Sequence, residues 1–512
     1  AALSSPSPSP SRRRASAPPS RRLDSFFVIS EQEMQVEGCS SDVEEVLSDQ
    51  GSWGSASASC SGVSPSGTRW RRSGGGGRSP PLSPLGTAQK HMRSQRPVGL
   101  RNLGNTCFLN AALQALVHTP LLAQFFARGH FVRDLNARNP LGTGGDLALA
   151  FAALLEQLFP PGGRLERSSG RRASASALSP DAFLETLCRH CPLVAEQPGA
   201  QQDAHEVLNF LLDALHEDLN KIRSPPSYKE GRDFLSEDDI ACRGEERFAA
   251  EAWHDHLQRH RSMLVDLCQG QLRSQVRCCE CSYSSVTFDP FLFLSLPMPP
   301  GLQRGQKAPI EAAITAFCAE EKLEGDDRWG CPRCERRVSA LKRLSLWKLP
   351  LLLLVHLKRF SFEASSWEAV PEAWKIEGEV SVPLQQLNLM DYVSEMSPQR
   401  VPLHYDLFAT VDHEGSSPHS GHYTAACRRA DGWWRFDDSK APEFLGEATS
   451  KDAPKRVVSG GNYLLLFQRR DAPPEPEQVP EQSHRKPELW PHVPLGADAE
   501  WSFMKDSGDS EN

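Results

Sequence analysis

The chain has 512 residues, a formal net charge of −8 and 14 cysteines. This length allows about three average domains, and a modest negative charge without a basic face argues against nucleic acid as a partner. No stretch approaches the roughly 20 apolar residues of a membrane span. No secretory signal is visible, so the cysteines are not expected to form a disulfide scaffold, and those that cluster are expected to bind metal or to catalyse.

The two ends of the chain are predicted to be disordered. Residues 1–96 are crowded with Ser, Pro, Gly and Arg, and residues 471–512 form an acidic stretch without apolar periodicity. Such compositions bury too little apolar surface to offset the entropy of ordering, which leaves residues 97–470 as the folded body. Ser16 and Ser174 each follow paired arginines. This pattern is typical of basophilic kinase sites and predicts a phosphoprotein.

The stretch "GNTCFLNAALQAL" places Cys107 at the predicted start of a helix. Gly104 permits a tight turn, Asn105 or Thr106 can cap the helix, and an apolar face follows at helical spacing. The positive end of the helix dipole lowers the pKa of a thiol, so Cys107 is a candidate nucleophile. The alternative is a small buried packing residue.

Three groups of residues in the next part of the chain are predicted to have structural roles rather than catalytic or metal-binding ones. "QQDAHEVLNFLLDAL" by itself predicts an amphipathic helix with a polar start. Cys188 and Cys191 have no second pair left to complete a metal site, so packing is expected. His254, His256 and His260 are predicted to lie on a solvated helix face, because the last two are four residues apart.

Two C-x-x-C pairs, Cys278/Cys281 and Cys331/Cys334, predict a zinc site. Zinc takes four thiolates on a tetrahedron, and each pair supplies two of them from one turn. Strand-like sequence flanks both pairs, so hairpins can bring them together. Cys279 is expected to point away from the metal. The alternative, four reduced buried thiols, does not explain the paired spacing.

The segment "GHYTAACRRADGWWRFDDS" predicts a hairpin that carries the proton acceptor for the thiol. A hairpin centred between Arg429 and Ala430 sets His422 opposite Asp437, because the two are equidistant from that centre. The carboxylate can then orient the imidazole. Cys107, His422 and Asp437 thus form a candidate nucleophile, base and orienter set of the cysteine-protease type.

The more obvious turn at Asp431-Gly432 gives a different register. It sets Asp437 opposite Ala426, several residues from the histidine, so the triad requires the looser loop. Gly421, just before the histidine, is predicted to leave room for the backbone of an extended peptide substrate.

Five blocks together resemble the ubiquitin-specific proteases, the papain-like cysteine deubiquitinases. They are "GLRNLGNTCFLNAALQAL", "QQDAHEVLNFLLDALHEDLN", the two cysteine pairs, "LLLLVHLKRFSF" and "GHYTAACRRADGWWRFDDS", in the family's order. The resemblance implies an α+β fold shaped as a right hand. Its parts are a helical thumb at about 97–225, zinc-bearing β fingers at about 265–345 and a β palm at about 346–470. The long insertion that many relatives carry between the pairs is absent.

The resemblance also implies residue roles. Asn102 matches the oxyanion-hole donor, and Asp438 matches an acidic position that assists catalysis. The implied contacts with the ubiquitin tail are Gln202, Asp203, Glu206, Gly421 and Tyr423.

The expected function is thiol-dependent hydrolysis of isopeptide and peptide bonds after the terminal glycine of ubiquitin, by a monomer that carries structural zinc. Its expected partners are ubiquitin and ubiquitinated proteins, without nucleic acid or membrane. The alternatives are a non-catalytic ubiquitin-binding adaptor, a protease for another modifier and a zinc-finger nucleic-acid module. The basic runs of the first tail fit a nuclear signal or a solvated tail, so the cytoplasm, the nucleus or both are expected.

Overall fold

The structure is a computed structural model. It describes residues 96–160, 177–197, 199–227, 235–236, 244–363, 372–399, 403–417, 420–448 and 453–470. Both predicted tails, apart from residue 96, and the two candidate phosphorylation sites Ser16 and Ser174 lie outside the described residues. Their assignments stay predictions. Within the described residues, no helix combines the length and the apolar composition needed to cross a bilayer.

A group of helices occupies the first part of the described chain. They are α1 (Cys107–Val117), α2 (Pro120–Ala127), α3 (Phe131–Asp134), α4 (Asp146–Leu158), α5 (Asp181–His190), α6 (Pro192–Ala195) and α7 (Ala204–Asp218). The sequence predicts an apolar face for α1, yet all of its residues are buried. A helix that is apolar nearly all round belongs in a core. It packs against α7 on one side and against the main sheet on another.

The middle of the chain folds into helices and an antiparallel sheet that form the finger region. Its elements are β1 (Leu235–Ser236), α8 (Glu245–Leu257), α9 (Met263–Cys268), β2 (Gly270–Cys278), β3 (Ser284–Phe291), β6 (Glu321–Leu323), β7 (Trp329–Cys331), β8 (Arg336–Val338) and β9 (Ala340–Lys348). The order of strands in the sheet is β1-β3-β2-β9-β6, and β7 pairs with β8 as a separate hairpin. Both predicted hairpins are present, and each carries one C-x-x-C pair.

The last part of the chain is dominated by a larger sheet. The remaining elements are β4 (Phe293–Pro297), β5 (Lys307–Pro309), α10 (Ile310–Phe317), β10 (Leu352–Lys358), β11 (Phe360–Glu363), β12 (Glu372–Lys375), β13 (Glu379–Ser381), β14 (Leu387–Asn388), β15 (His404–Ser417), β16 (Ser420–Arg429), β17 (Gly432–Phe436), β18 (Glu443–Gly446), α11 (Ala453–Val457) and β19 (Asn462–Arg469). The strands of the larger sheet follow the order β18-β17-β16-β15-β19-β10-β4, and β14 pairs with β15. Only β10 and β4 run parallel among these neighbours.

One hydrophobic core joins the helices to this sheet. It contains Cys107 and Phe108 of α1, Leu211 of α7 and, from the sheet, Tyr423 and Leu464. The start of α1 therefore lies against β16, the strand that carries the candidate base. The predicted mixed α+β fold is confirmed.

The predictions that Cys188 and Cys191 are packing residues and that three histidines lie on a solvated helix face have different outcomes. Cys191 is fully buried and Cys188 packs against the same core, as expected for packing residues. The solvated histidine face is wrong for two of its three members. His254 is exposed, whereas His256 and His260 are half-buried because their side of the helix end packs against neighbouring segments.

Candidate active site

The nucleophile candidate is the first residue of α1, and a left-handed turn precedes it. Gly104 and Asn105 have φ angles of 102° and 54°. The predicted cap is absent: Thr106 stands at the N-cap position, but no side chain caps the helix. Asn105 instead donates from Nδ2 to the carbonyl oxygen of Gly199 at 2.8 Å, which ties the turn to the loop before α7.

The Cys107 thiol has a raised pKa, contrary to the expectation from the helix dipole. Burial is the largest cause, since the residue is only 3% exposed, and the charge of Asp438 adds to it. The backbone N–H groups of Tyr423 and Phe108 act in the opposite direction without outweighing burial. The neutral thiol is therefore favoured in this state, so a base must take the proton when the thiol reacts.

His422 and Asp437, the candidate base and orienter, are in contact with each other. The distance from His422 Nε2 to Asp437 Oδ1 is 2.8 Å. Burial acts to raise the pKa of Asp437, but hydrogen bonds from Lys440 and His422 outweigh it and lower the pKa below its usual value. An ionised carboxylate can only accept a hydrogen bond, so Nε2 is the donor in this contact, and the neutral form of the ring would have its lone pair on Nδ1.

The register of this hairpin differs from both predicted alternatives. Arg429 pairs with Gly432, so the hairpin is centred between Ala430 and Asp431. Extending that register one step past β17 sets Asp437 beside Thr424. The direct opposition of His422 and Asp437 is thus wrong. The two are diagonal neighbours on one face, which is within reach for long side chains.

Cys107 and His422 come from elements far apart in the chain. The backbone N–H of Tyr423, the residue next to His422, faces the Cys107 thiol. Within the described residues, no hydrogen bond joins the thiol to the imidazole. The candidate base and orienter are therefore in contact with each other, and the thiol lies beside the strand that carries them.

Asn102 and Asp438 are joined by a hydrogen bond that links the two ends of the folded body. Asn102 Oδ1 accepts from the backbone N–H groups of Gly104 and Thr106, both at 3.0 Å, and Nδ2 donates to Asp438 Oδ2 at 2.9 Å. These bonds fix the amide so that Nδ2 faces Asp438. The amide has a second N–H, which is the group an oxyanion would use.

Asn110 is a site residue that the motif analysis missed. It is buried on α1, and its Nδ2 donates to Asp438 Oδ1 at 2.8 Å and to the carbonyl oxygen of Arg101 at 3.1 Å. Asp438 is therefore held between Asn110 and Asn102. One signal was available in the sequence, because Asn110 is one of two polar residues in a mostly apolar helix and lies three residues after the cysteine.

Replacing Asn110 with alanine is expected to lower kcat by about tenfold to a hundredfold with little change in KM. The reason is that Asp438 loses one of its two asparagine donors, so Asn102 is held less well, and a full oxyanion donor is worth about 10²- to 10³-fold. The measurement is steady-state turnover of a fluorogenic substrate of the activity proposed below.

The matched control is Gln114→Ala. Gln114 is also buried on α1, and it donates to the carbonyl oxygen of Val98 at 3.0 Å without touching Asp438. The Gln114→Ala variant is expected to be less stable but to have an unchanged kcat. Equal kcat losses in the two variants would show that Asn110 acts only through packing.

The three predicted substrate-tail residues at the start of α7 differ in their exposure. Gln202 and Asp203 are buried, whereas Glu206 is exposed. Asp203 is the N-cap of α7: its Oδ1 accepts from the backbone N–H of His205 at 2.6 Å, and its Oδ2 accepts from the Tyr463 hydroxyl at 2.6 Å. Glu206 is therefore the exposed carboxylate of this group.

Tyr423 and Gly421 lie beside the base, in settings that the sequence did not reveal. The Tyr423 side chain is only 1% exposed, so its ring lies beneath the cleft and only its backbone faces the thiol. A Cβ atom at Gly421 would come within 2.2 Å of the carbonyl oxygen of Glu414. Close strand packing thus requires this glycine, and the predicted passage of a substrate backbone stays a prediction.

The four predicted zinc ligands come together at the tip of the finger region. Cys278, Cys281, Cys331 and Cys334 place their sulfur atoms within 4.8 Å of one another. The Sγ–Sγ distance is 3.6 Å between Cys281 and Cys331 and 3.9 Å between Cys278 and Cys334. A tetrahedral zinc site with Zn–S bonds of about 2.3 Å has edges of about 3.8 Å. This four-cysteine cluster can bind a metal ion.

The two cysteine turns share one backbone geometry. The backbone N–H groups of Cys281 and Cys334 each point to the sulfur of the first cysteine of their pair at 3.4 Å. The residue after each pair, Ser282 or Glu335, has a positive φ of 59° or 53°. Donors aimed at sulfur stabilise thiolates, so the turns suit metal binding. Cys279 is exposed and points away from the cluster, as predicted.

A cysteine at the start of a buried helix, packed against the strand that carries a histidine–aspartate pair, is the arrangement of the papain-like cysteine hydrolases. The family model described as ubiquitin carboxyl-terminal hydrolase matches residues 98–467, and the chain belongs to this family. Human ubiquitin carboxyl-terminal hydrolase 21 is 33% identical over 390 residues, which cover 74% of the chain and 62% of that protein. Bovine ubiquitin carboxyl-terminal hydrolase 2 is 33% identical over 385 residues, which cover 74% of the chain and 56% of that protein.

A solved structure supports the same fold. It is the SAGA DUB module of Ubp8, Sgf11, Sus1 and Sgf73 bound to ubiquitin aldehyde, with a TM-score of 0.52 and 23% identity. The match covers 74% of this chain and 70% of that one. The chain spans about three fifths of the length of the two relatives above.

Proposed function

We propose that this protein is a deubiquitinase that hydrolyses isopeptide and peptide bonds after the terminal glycine of ubiquitin. The observation that carries the proposal is the 2.8 Å pair of His422 and Asp437 beside the buried thiol of Cys107. Family membership supplies the substrate class, because its relatives are named as ubiquitin carboxyl-terminal hydrolases.

The first step moves a proton from the thiol to the imidazole. Nδ1 of His422 accepts the Cys107 proton, and Asp437 stabilises the imidazolium that forms at Nε2. The pKa of the buried thiol is raised, so deprotonation is coupled to the approach of the substrate rather than complete beforehand. The thiolate sulfur then attacks the carbonyl carbon of the terminal glycine.

The second step collapses the tetrahedral intermediate. Its oxyanion is stabilised by the second N–H of Asn102 Nδ2, while Asp438 holds the amide in place. His422 returns its proton to the departing amine, which leaves a thioester on Cys107. Water, deprotonated by His422, then hydrolyses the thioester and restores the free thiol.

Recognition of the substrate is assigned to α7 and the finger region. The exposed carboxylate of Glu206 suits a basic side chain of the ubiquitin tail, because a carboxylate and a guanidinium pair bidentately. The similar solved structure is bound to ubiquitin aldehyde, which supports ubiquitin as the substrate.

Zinc is the metal proposed for the four-cysteine cluster. Cys278, Cys281, Cys331 and Cys334 would hold it, and the ion would supply structural stability rather than chemistry, since all four positions are taken by protein sulfur. The protein is further proposed to act as a monomer on ubiquitinated proteins, in the cytoplasm, the nucleus or both.

The test is labelling by ubiquitin that carries a C-terminal electrophile. The native protein and a Cys188→Ala control are expected to form a covalent adduct, whereas Cys107→Ala is expected to form none. Cys188 is half-buried and distant in sequence, so it controls for general thiol loss. A folded native protein that stays unlabelled would favour the adaptor, or a protease for another modifier if the matching probe labels Cys107.

A further inference from the structure

We propose a second metal site, separate from the four-cysteine cluster, in which His216, Glu217 and His260 bind a zinc-type transition ion. His216 and Glu217 lie in the last turn of α7, and His260 lies in the segment between α8 and α9. The ion would connect the helical region to the base of the finger region. The proposal is independent of the hydrolase activity.

The positions of the three ligand atoms fit one small ion. His216 Nε2 is 3.4 Å from His260 Nδ1 and 3.7 Å from Glu217 Oε1. All three atoms lie within 4.8 Å of one another. Ligands about 2.1 Å from a tetrahedral zinc ion are about 3.4 Å apart, so the two contacts of His216 Nε2 are close to the edges of such a site.

One carboxylate oxygen of Glu217 is buried without a hydrogen-bond donor among the described residues. The residue is 3% exposed. Its Oε2 accepts from Asn139 Nδ2 at 2.5 Å and from Asn220 Nδ2 at 3.4 Å. Within the described residues, Oε1 has no hydrogen-bond donor, although it is buried and faces His216. A buried carboxylate oxygen of this kind is costly unless a cation or a donor is present.

The position of Glu217 on its helix increases the need for a positive partner. A negative charge at the C-terminal end of a helix is unfavourable, because the last carbonyl groups carry partial negative charge. The adjacent Asp218 is fully satisfied in comparison, since it accepts four hydrogen bonds from residues 143–148. Burial also raises the pKa of Glu217, so its ionised form needs a positive partner such as a bound divalent ion.

The surroundings resemble the outer shell of a metal site. His216 Nδ1 lies 2.7 Å from Ser262 Oγ, a contact that leaves Nε2 directed at His260. Metal-binding histidines usually use their second nitrogen in such a contact, which fixes the ring orientation. Burial lowers the pKa of His216 and of His260 to about 3, so both rings are neutral at pH 7. Imidazole and carboxylate together suit zinc among the common ions.

The experiment counts metal in the full chain after stripping and dialysis against buffered zinc. The native protein is expected to hold two molar equivalents, and His260→Gln is expected to hold one. The control is His254→Gln, because His254 is exposed on α8 and outside the cluster; it should keep two. His260→Asn gives the same comparison should the glutamine variant not fold.

Cobalt substitution assigns each equivalent to its site. Thiolate-to-cobalt charge-transfer bands report the four-cysteine cluster, so their full intensity is expected in native protein and in His260→Gln alike. The glutamine variant should lose one cobalt equivalent that carries no such bands. Equal metal content in the native protein and His260→Gln would overturn the second site, as would equal loss from His254→Gln.

Discussion

The variant His422→Gln is expected to lower kcat/KM for a ubiquitin–fluorophore substrate by about 10⁴-fold or more. Glutamine cannot take the thiol proton, and removal of the base from a catalytic triad has effects of this size. The buried thiol makes the loss severe, because burial raises the pKa of Cys107 and little thiolate forms without the base. The measurement is single-turnover release of the fluorophore.

Two further variants test whether the orienter acts through the imidazole. Asp437→Asn is expected to lower kcat/KM by about 10³- to 10⁴-fold, because the asparagine amide can donate to Nε2 of His422 and so favours the wrong tautomer of the imidazole. Lys440→Gln removes the 2.7 Å contact between Lys440 Nζ and the other carboxylate oxygen of Asp437. Lys440 is exposed, so the loss should stay within about threefold. Equal losses in these two variants would contradict the assigned role of Asp437.

The second large effect is expected from Cys331→Ser, which should abolish metal binding at the finger tip and unfold that region. The β7–β8 hairpin has strands of only three residues. Its core consists of the ligand cysteines and a few neighbours such as Val338 and Trp329. So short a hairpin is not stable alone, and structural zinc contributes about 10 kcal/mol or more in small zinc domains.

The measurement combines metal content with tryptophan fluorescence and thermal unfolding. Trp329 stacks on Tyr283 with ring centroids 6.3 Å apart, so its emission should change when the metal is removed by a chelator. The melting temperature is expected to fall by roughly 10 °C or more. Cys279→Ser is the control, since Cys279 is exposed in the same turn and should change neither signal. Metal-free protein with unchanged fluorescence and stability would contradict the structural role.

The sequence predicted the local parts of the site because short patterns encode them. Apolar spacing after Cys107 indicates a buried helix, and the paired C-x-x-C turns indicate a metal cluster, whatever the rest of the chain does. The resemblance of five blocks to one family then placed these parts in a single fold. Neither inference depends on the exact position of one strand against another.

The hairpin register shows where local patterns stop being sufficient. Both sequence-based alternatives were wrong, and the observed turn at Ala430 and Asp431 lies between them. Moving the turn by one residue changes its intrinsic propensity little, so the packing of β16 against α1 and β15 determines the register of the hairpin. The predicted pair of His422 and Asp437 nevertheless forms, because diagonal neighbours on one face are also in reach.

Burial is the second property that only the tertiary structure determined. The sequence suggested a thiol activated by a helix end, yet burial against the sheet raises the pKa of Cys107. It suggested that Tyr423 lines the cleft, yet the side chain is buried. Exposure depends on every element packed around a residue, and most of those elements are distant in the chain.

By itself, the sequence indicated the family, the candidate nucleophile, the candidate base and the four-cysteine cluster, since each depends on residues close together in the chain or on a specific motif. The tertiary structure decided the contacts between distant segments: Asn102 and Asn110 on Asp438, and His216 beside His260. The reason is physical. Such contacts depend on how α1 packs on the sheet and how α7 meets the segment after α8, and these geometries arise only when the whole core is assembled.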